Sequence, residues 1–92
     1  MKVNFYATLR AIAGRKTIEV DLKPHATARD LVEVIVHNYP PMRAELLDAN
    51  NEFQSHMKFF INGREAVYLV DKMNTVIHPD DKVDIFPPVG GG

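Results

Sequence analysis

The chain has no cysteine in its 92 residues. That single absence removes disulfides, thiolate zinc sites, iron–sulfur ligation and cysteine nucleophiles, and a cluster-bearing ferredoxin with them. No apolar run approaches the roughly 20 residues needed to span a bilayer. The opening stretch Met1-Lys2-Val3-Asn4-Phe5-Tyr6 passes directly into an alternating pattern and shows no signal-peptide block. The expectation is a cytoplasmic protein with no membrane association. Net charge is −1, and Lys and Arg are spread along the chain without a basic stripe, so nothing electrostatic points to nucleic acid. The four histidines, His25, His37, His56 and His78, lack the spacing of a metal-binding pair on one helix turn, so no metal site is expected.

What the chain does contain fits one small domain. Its 46% hydrophobic and 25% charged content is ordinary, and there is no repeat or low-complexity run apart from the terminal glycines. A chain of this length buries roughly 60–65% of its unfolded surface, enough for one modest core. Residues 2–9 alternate, with Val3, Phe5, Ala7 and Leu9 on one face, which predicts a half-buried strand. After the turn at Ala13-Gly14-Arg15, residues 16–22 alternate again with Ile18, Val20 and Leu22 inward, so the two segments read as a hairpin. Thr27 and Asp30 have the spacing of a capping box. Ala28, Leu31, Val32, Ile35, Val36 and Tyr39 then form a helical stripe that Pro40 and Pro41 terminate; Val34 falls off it. Met42 to Leu47 is expected as a short second helix and residues 48–55 as a loop. A third strand is predicted over 56–61, a tight turn at Asn62-Gly63, and a further short strand over 66–70. Pro79-Asp80-Asp81 makes a turn into a final strand at 82–86. The order ββ–α–ββ predicts an α+β domain with one main helix laid across one face of a mixed four- to five-stranded sheet.

The chemistry concentrates in the ending Phe86-Pro87-Pro88-Val89-Gly90-Gly91-Gly92. Pro87 and Pro88 lack amide hydrogens and have a fixed φ, so they leave the sheet as a stiff extended stem. Gly90, Gly91 and Gly92 have no Cβ and fit a channel too narrow for other residues. Glycines alone are also what a frayed terminus looks like; the strand and double proline before them turn the reading toward a presented carboxylate on Gly92. Division into a body, 1–86, and a tail, 87–92, follows. If Val83 and Ile85 face inward, Phe86 faces outward, and the same logic turns Tyr6 and Phe60 outward. Together they are expected to make an exposed aromatic docking patch beside the tail. Arg10, after the first strand, is a candidate for an acidic patch on a partner.

Element order along the whole chain, with the ending from Asp81 through Phe86-Pro87-Pro88-Val89 to Gly91-Gly92, resembles the ubiquitin-like β-grasp sulfur carriers of the MoaD/ThiS type, in particular the small subunit of molybdopterin synthase. Tyr6-Ala7-Thr8-Leu9-Arg10 and Asn62-Gly63-Arg64-Glu65 are further matches. Asp80 stands where relatives usually carry glycine, and the segment 40–55 is longer than in the shortest members. The resemblance implies that a ubiquitin-activating-like adenylating enzyme joins the Gly92 carboxylate to AMP from ATP. Sulfur transfer then yields a thiocarboxylate, and the large subunit of molybdopterin synthase accepts the tail and uses the sulfur for the dithiolene. It further implies a non-catalytic sulfur-donor subunit with no bound cofactor, ATP being consumed by the partner. Partner contacts fall on Phe86, Tyr6, Phe60, Arg10 and Val89. The alternatives are a ubiquitin-like modifier joined through Gly92 to lysines of other proteins, or a sulfur carrier for tRNA thiolation or thiazole synthesis.

Overall fold

The computed structural model describes residues 1–88. In chain order the elements are β1 (Lys2–Phe5), α1 (Ala7–Ala13), β2 (Thr17–Glu19), α2 (Ala28–Asn38), α3 (Arg43–Leu46), β3 (Lys58–Ile61), β4 (Arg64–Glu65) and β5 (Lys82–Phe86). Short 3₁₀ turns lie at Pro40–Met42, Ala66–Tyr68 and Lys72–Asn74. The five strands form one sheet in the order β2-β1-β5-β3-β4. β1 and β5 are parallel, and every other neighbouring pair is antiparallel. This is the ubiquitin-like β-grasp arrangement expected from the sequence.

One face of the sheet is the core. Val3 and Phe5 from β1, Ile18 from β2, Phe59 and Ile61 from β3, and Val83 and Ile85 from β5 are all buried there. α2 covers them with Ala28, Leu31, Val32, Ile35 and Val36. Its start is fixed by the predicted capping box: the Asp30 amide donates to Thr27 Oγ1 at 3.2 Å, and the Thr27 amide donates to Asp30 Oδ2 at 2.9 Å. Its stop falls just before Pro40, with Tyr39 as C-cap. Val34, off the apolar stripe, is half-buried at the margin of the core. Asn62 and Gly63 both have positive φ, 51° and 82°, the geometry of a type I′ hairpin turn. Among the described residues no helix is long and apolar enough to cross a membrane.

Three sequence expectations need correction. The first strand ends at Phe5, not at residue 9, and the chain continues as α1. Ala7 has φ 53°, which breaks the strand, and Leu9, Ile12 and Ala13 then follow at helical spacing with Leu9 buried. β1 and β2 therefore pair as expected but are joined by a helix, with Gly14 (φ 79°) as its C-cap, and not by a short loop. β2 is shorter than the alternation over 16–22, although the Val20 amide still donates to the Met1 carbonyl at 2.9 Å. The strand expected over 66–70 is a 3₁₀ turn. The return strand β4 begins directly after Gly63, where Arg64 pairs with Ile61 and Glu65 with Phe60, so the apolar piece that follows is already past the sheet. Of that piece Ala66 is buried, while Tyr68 and Val70 are exposed. The short helix expected at 42–47 is present as α3.

Candidate functional site

The outer face of the sheet, opposite α2, brings together residues far apart in the chain. β5 is central, with β1 on one side and β3 on the other. Alternation along β5 buries Val83 and Ile85 and turns Asp84 and Phe86 outward. Tyr6 follows β1 in extended geometry (φ −132°, ψ 154°) as the N-cap of α1, so its ring remains on the outward side of the sheet, next to Phe86. Phe60 stands across from Asp84 and diagonal to Phe86.

The three aromatic rings expected to form a patch do meet. Phe60 stacks on Phe86 with centroids 5.3 Å apart and planes at 16°. Tyr6 meets Phe86 edge to face at 5.5 Å and 83°. Offset-stacked and edge-to-face pairs are the favoured aromatic geometries, each worth about 0.5–1.5 kcal/mol beyond the area covered. All three rings are half-buried: each shields its neighbour while leaving a side open to solvent. Lys16 Nζ lies 5.5 Å from the Tyr6 ring centroid, within cation–π range.

A polar chain across β2, β1 and β5 underlies the rings. Thr17 Oγ1 donates to Asn4 Oδ1 at 2.7 Å, Asn4 Nδ2 donates to Asp84 Oδ1 at 3.0 Å, and the Tyr6 hydroxyl donates to the same Oδ1 at 2.8 Å. The bond to Asp84 holds the Tyr6 phenol above its ordinary pKa, with burial and the negative charge of Asp84 acting in the same direction. Tyr6 is thus pinned at its hydroxyl and packed at its ring. Asn4, Asp84 and Lys16 were not identified as site residues from the sequence. The outward parity of Asn4 and Asp84 was visible, but their juxtaposition depends on the parallel register of β1 and β5. Lys16 shares the inward parity of Ile18 and Val20, so alternation did not place it on this face.

Arg10 sits on α1, one turn beyond Tyr6, and is exposed; it is not at a strand end as expected. Pro87, half-buried, and Pro88, exposed, continue from β5 immediately beyond the aromatic cluster. The expectations at Val89, Gly90, Gly91 and Gly92 fall outside the described residues. The four histidines are all exposed.

A model of the ThiS family matches residues 3–92. The chain belongs to the ThiS family. Within it, the chain is 34% identical over 92 residues to small archaeal modifier protein 3 of Haloferax volcanii, an alignment that covers 100% of this chain and 98% of that protein. Its structure is similar to that of SAMP1 from Haloferax volcanii, with a TM-score of 0.88 at 26% identity, covering 99% of this chain and 97% of the other. It is also similar to a putative molybdopterin converting factor, subunit 1, from Pyrococcus furiosus, with a TM-score of 0.74 at 27% identity, covering 96% and 95% of the two chains. The sulfur-carrier-type β-grasp fold read from the sequence is therefore that of this ThiS-family chain.

Proposed function

We propose that this ThiS-family chain is a ubiquitin-like carrier that works through its own terminal carboxylate, and that protein modification is its leading role. The observation that carries the reading is the position of the tail base. β5 runs through the centre of the sheet and ends at Phe86 inside an exposed aromatic cluster, and the sequence that follows is Pro-Pro-Val-Gly-Gly-Gly. A partner that binds the cluster has the tail in a defined place relative to itself. In the first step the Gly92 carboxylate attacks the α-phosphate of ATP on an adenylating enzyme, releasing pyrophosphate and leaving an acyl-adenylate. A lysine amine of another protein then displaces AMP and forms an isopeptide bond. The similarity to a protein named as a small archaeal modifier, at 34% identity along the whole chain, favours this outcome over the molybdopterin one.

The second reading shares the activated intermediate. Here hydrosulfide displaces AMP and yields a thiocarboxylate, whose sulfur attacks an acceptor held by a larger partner such as a molybdopterin synthase large subunit. Water then cleaves the acyl–sulfur bond, leaving the sulfur on the acceptor and restoring the Gly92 carboxylate. The likeness to a putative molybdopterin converting factor supports it. In both readings Pro87 and Pro88 supply reach, Gly90 to Gly92 supply access, and Phe86, Tyr6 and Phe60 supply the docking surface.

Two measurements separate the outcomes. Intact-mass analysis after incubation with an adenylating enzyme, ATP and a sulfur donor detects exchange of one carboxylate oxygen for sulfur. Immunoblots of lysate from cells expressing an N-terminally tagged chain detect a ladder of higher-mass conjugates, which deletion of Gly92 abolishes. A wild-type chain that gives neither product nor any ATP-dependent pyrophosphate release refutes the proposed function.

A further inference from the structure

Charge is distributed unevenly along this chain, and the fold converts that imbalance into a surface. The first 18 residues carry four cations, Lys2, Arg10, Arg15 and Lys16, and no acid, whereas the rest of the chain carries seven cations against twelve acids. Three of the four are gathered on one side of the aromatic cluster. Arg10 is on α1, one turn beyond Tyr6; Arg15 follows the Gly14 cap; and Lys16, whose carbonyl accepts from the Phe5 amide at 2.6 Å, stands beside β1 with its ammonium over the Tyr6 ring. All three are exposed, and none enters a salt bridge among the described residues.

The carboxylates on the same sheet face do not offset this excess, because each has its own cation. Glu19 lies 3.7 Å from the amino group of Met1, Glu65 lies 3.6 Å from Lys58, and Asp84 lies 4.0 Å from Lys82. The aromatic patch is therefore close to neutral toward β3 and β4 and strongly positive toward α1 and β2.

We propose that the protein partner docking on the Tyr6–Phe60–Phe86 cluster presents carboxylates to Arg10, Arg15 and Lys16, so that it meets this chain with an apolar centre and an acidic flank on the α1–β2 side. The inference rests on the docking role given to the cluster above. Three cations beside an apolar patch, on a chain of net charge −1, suit a localised acidic protein surface better than a phosphate backbone, which calls for a longer basic track. Complementary charge at the edge of an apolar contact acts mainly on encounter and orientation, and its effect is screened by salt.

The test measures kcat/KM for ATP-dependent adenylation of the chain by its adenylating enzyme, at low and at high salt. The triple variant R10E/R15E/K16E is expected to lose at least about tenfold at low salt and to recover most of that loss at high salt. R10E/R15E leaves Lys16 over Tyr6 and is expected to lose less but with the same salt dependence. K23E/K72E, on exposed residues outside the patch, changes the net charge without touching the flank and is expected to behave as wild type. An equal loss in K23E/K72E overturns the inference in favour of a net-charge effect. So does a triple variant with wild-type kcat/KM at low salt, or an RNA oligonucleotide that binds wild type and not the triple variant while adenylation is unchanged. F86A separates the two levels of the argument. If F86A loses activity and the charge variants do not, the docking face stands and its acidic partner flank falls. If F86A adenylates normally, the docking reading itself falls.

Discussion

Phe59 and Phe86 lie on adjacent strands and face opposite sides of the sheet, which allows a direct test of what the outer face is for. Phe59 is 2% exposed in the core, where it also meets Phe53 edge to face at 5.7 Å. Replacing it by alanine opens a cavity among close-packed neighbours and is expected to cost about 3–5 kcal/mol. Phe86→Ala removes only the stack on Phe60 and the edge contact with Tyr6. At about 0.5–1.5 kcal/mol per aromatic pair the two contacts contribute about 1–3 kcal/mol, with the covered area of a half-buried ring in addition. The site is open to solvent, so no closed cavity forms and the lower half of that range applies. For a domain of this size each kcal/mol lowers Tm by about 4–8 °C. Phe86→Ala should therefore melt within about 16 °C of wild type, while Phe59→Ala should be largely unfolded at moderate temperature if total stability is near the low end for small domains. Adenylation should reverse the order of severity among folded chains. A buried aromatic anchor at an interface is worth about 2 kcal/mol or more, so kcat/KM for activation of Phe86→Ala should fall roughly 30-fold or further. Chemical denaturation and pyrophosphate release, run on the same samples, give both numbers. The reasoning is refuted if Phe86→Ala destabilises as much as Phe59→Ala, which would make Phe86 a core residue, or if it is activated like wild type.

Other outcomes follow from the same geometry. In Asp84→Asn the Tyr6 hydroxyl loses its charged acceptor, so its raised pKa should move back toward the ordinary value in an ultraviolet titration. Since folding favours the protonated phenol, this contact stabilises fully below about pH 10 and is lost as pH rises through the elevated folded value; a wild-type titration without a late tyrosine contradicts it. Ala7→Gly relieves a left-handed position (φ 53°) at the start of α1, worth about 1–2 kcal/mol, against about 0.5–1 kcal/mol for the glycine's extra chain entropy. It should therefore leave stability unchanged or raise it by up to about 1.5 kcal/mol. A lower Tm for that variant contradicts the assigned backbone. Gly91→Phe should abolish activation with Tm unchanged, since every buried core residue among those described lies at or before Ile85; normal adenylation of that variant removes the narrow-channel argument.

The parts of this fold that were legible in the sequence are those fixed by neighbouring residues. Thr27 and Asp30 announce the start of α2 through side-chain bonds three residues apart, and Asn62-Gly63 announces its turn because both positions tolerate positive φ. β5 alternates cleanly between a turn and two prolines, and its bounds are those predicted. Residues 6–13 were misread for a physical reason. Leu9 is inward both in a strand continued from Phe5 and in the helix that is actually formed, so periodicity could not separate the two. What separates them is the left-handed backbone at Ala7, a conformation that nothing about alanine announces. At the site, the outward aromatics followed from parity alone. The anchoring of Tyr6 by Asp84 did not, because it depends on which residue of β1 lies beside which residue of β5, and that register is set by the folded sheet.

Under the proposed function, the central position of β5 connects docking to delivery. Residues 83–85 are held by ladders on both sides, from β1 and from β3, so the end of this strand is among the most firmly placed points in the chain. Phe86 belongs at once to that strand and to the aromatic cluster, and Pro87 begins at the next peptide bond. Neither proline can donate a hydrogen bond to extend the sheet, and both restrict φ, so orientation set by the strand passes into the stem with little loss. An edge strand would leave the stem free to swing with the fraying of one ladder; a loop would give it no fixed direction. A partner that recognises the outer face has thereby located the start of the tail without contacting the tail itself. Under the proposed function, binding energy is drawn from the aromatic face, while the glycines at positions 90–92 bring no side chains to the acceptor site. This division explains how one chain can meet two demands that conflict in any single segment: a wide surface for affinity and a slender end for access.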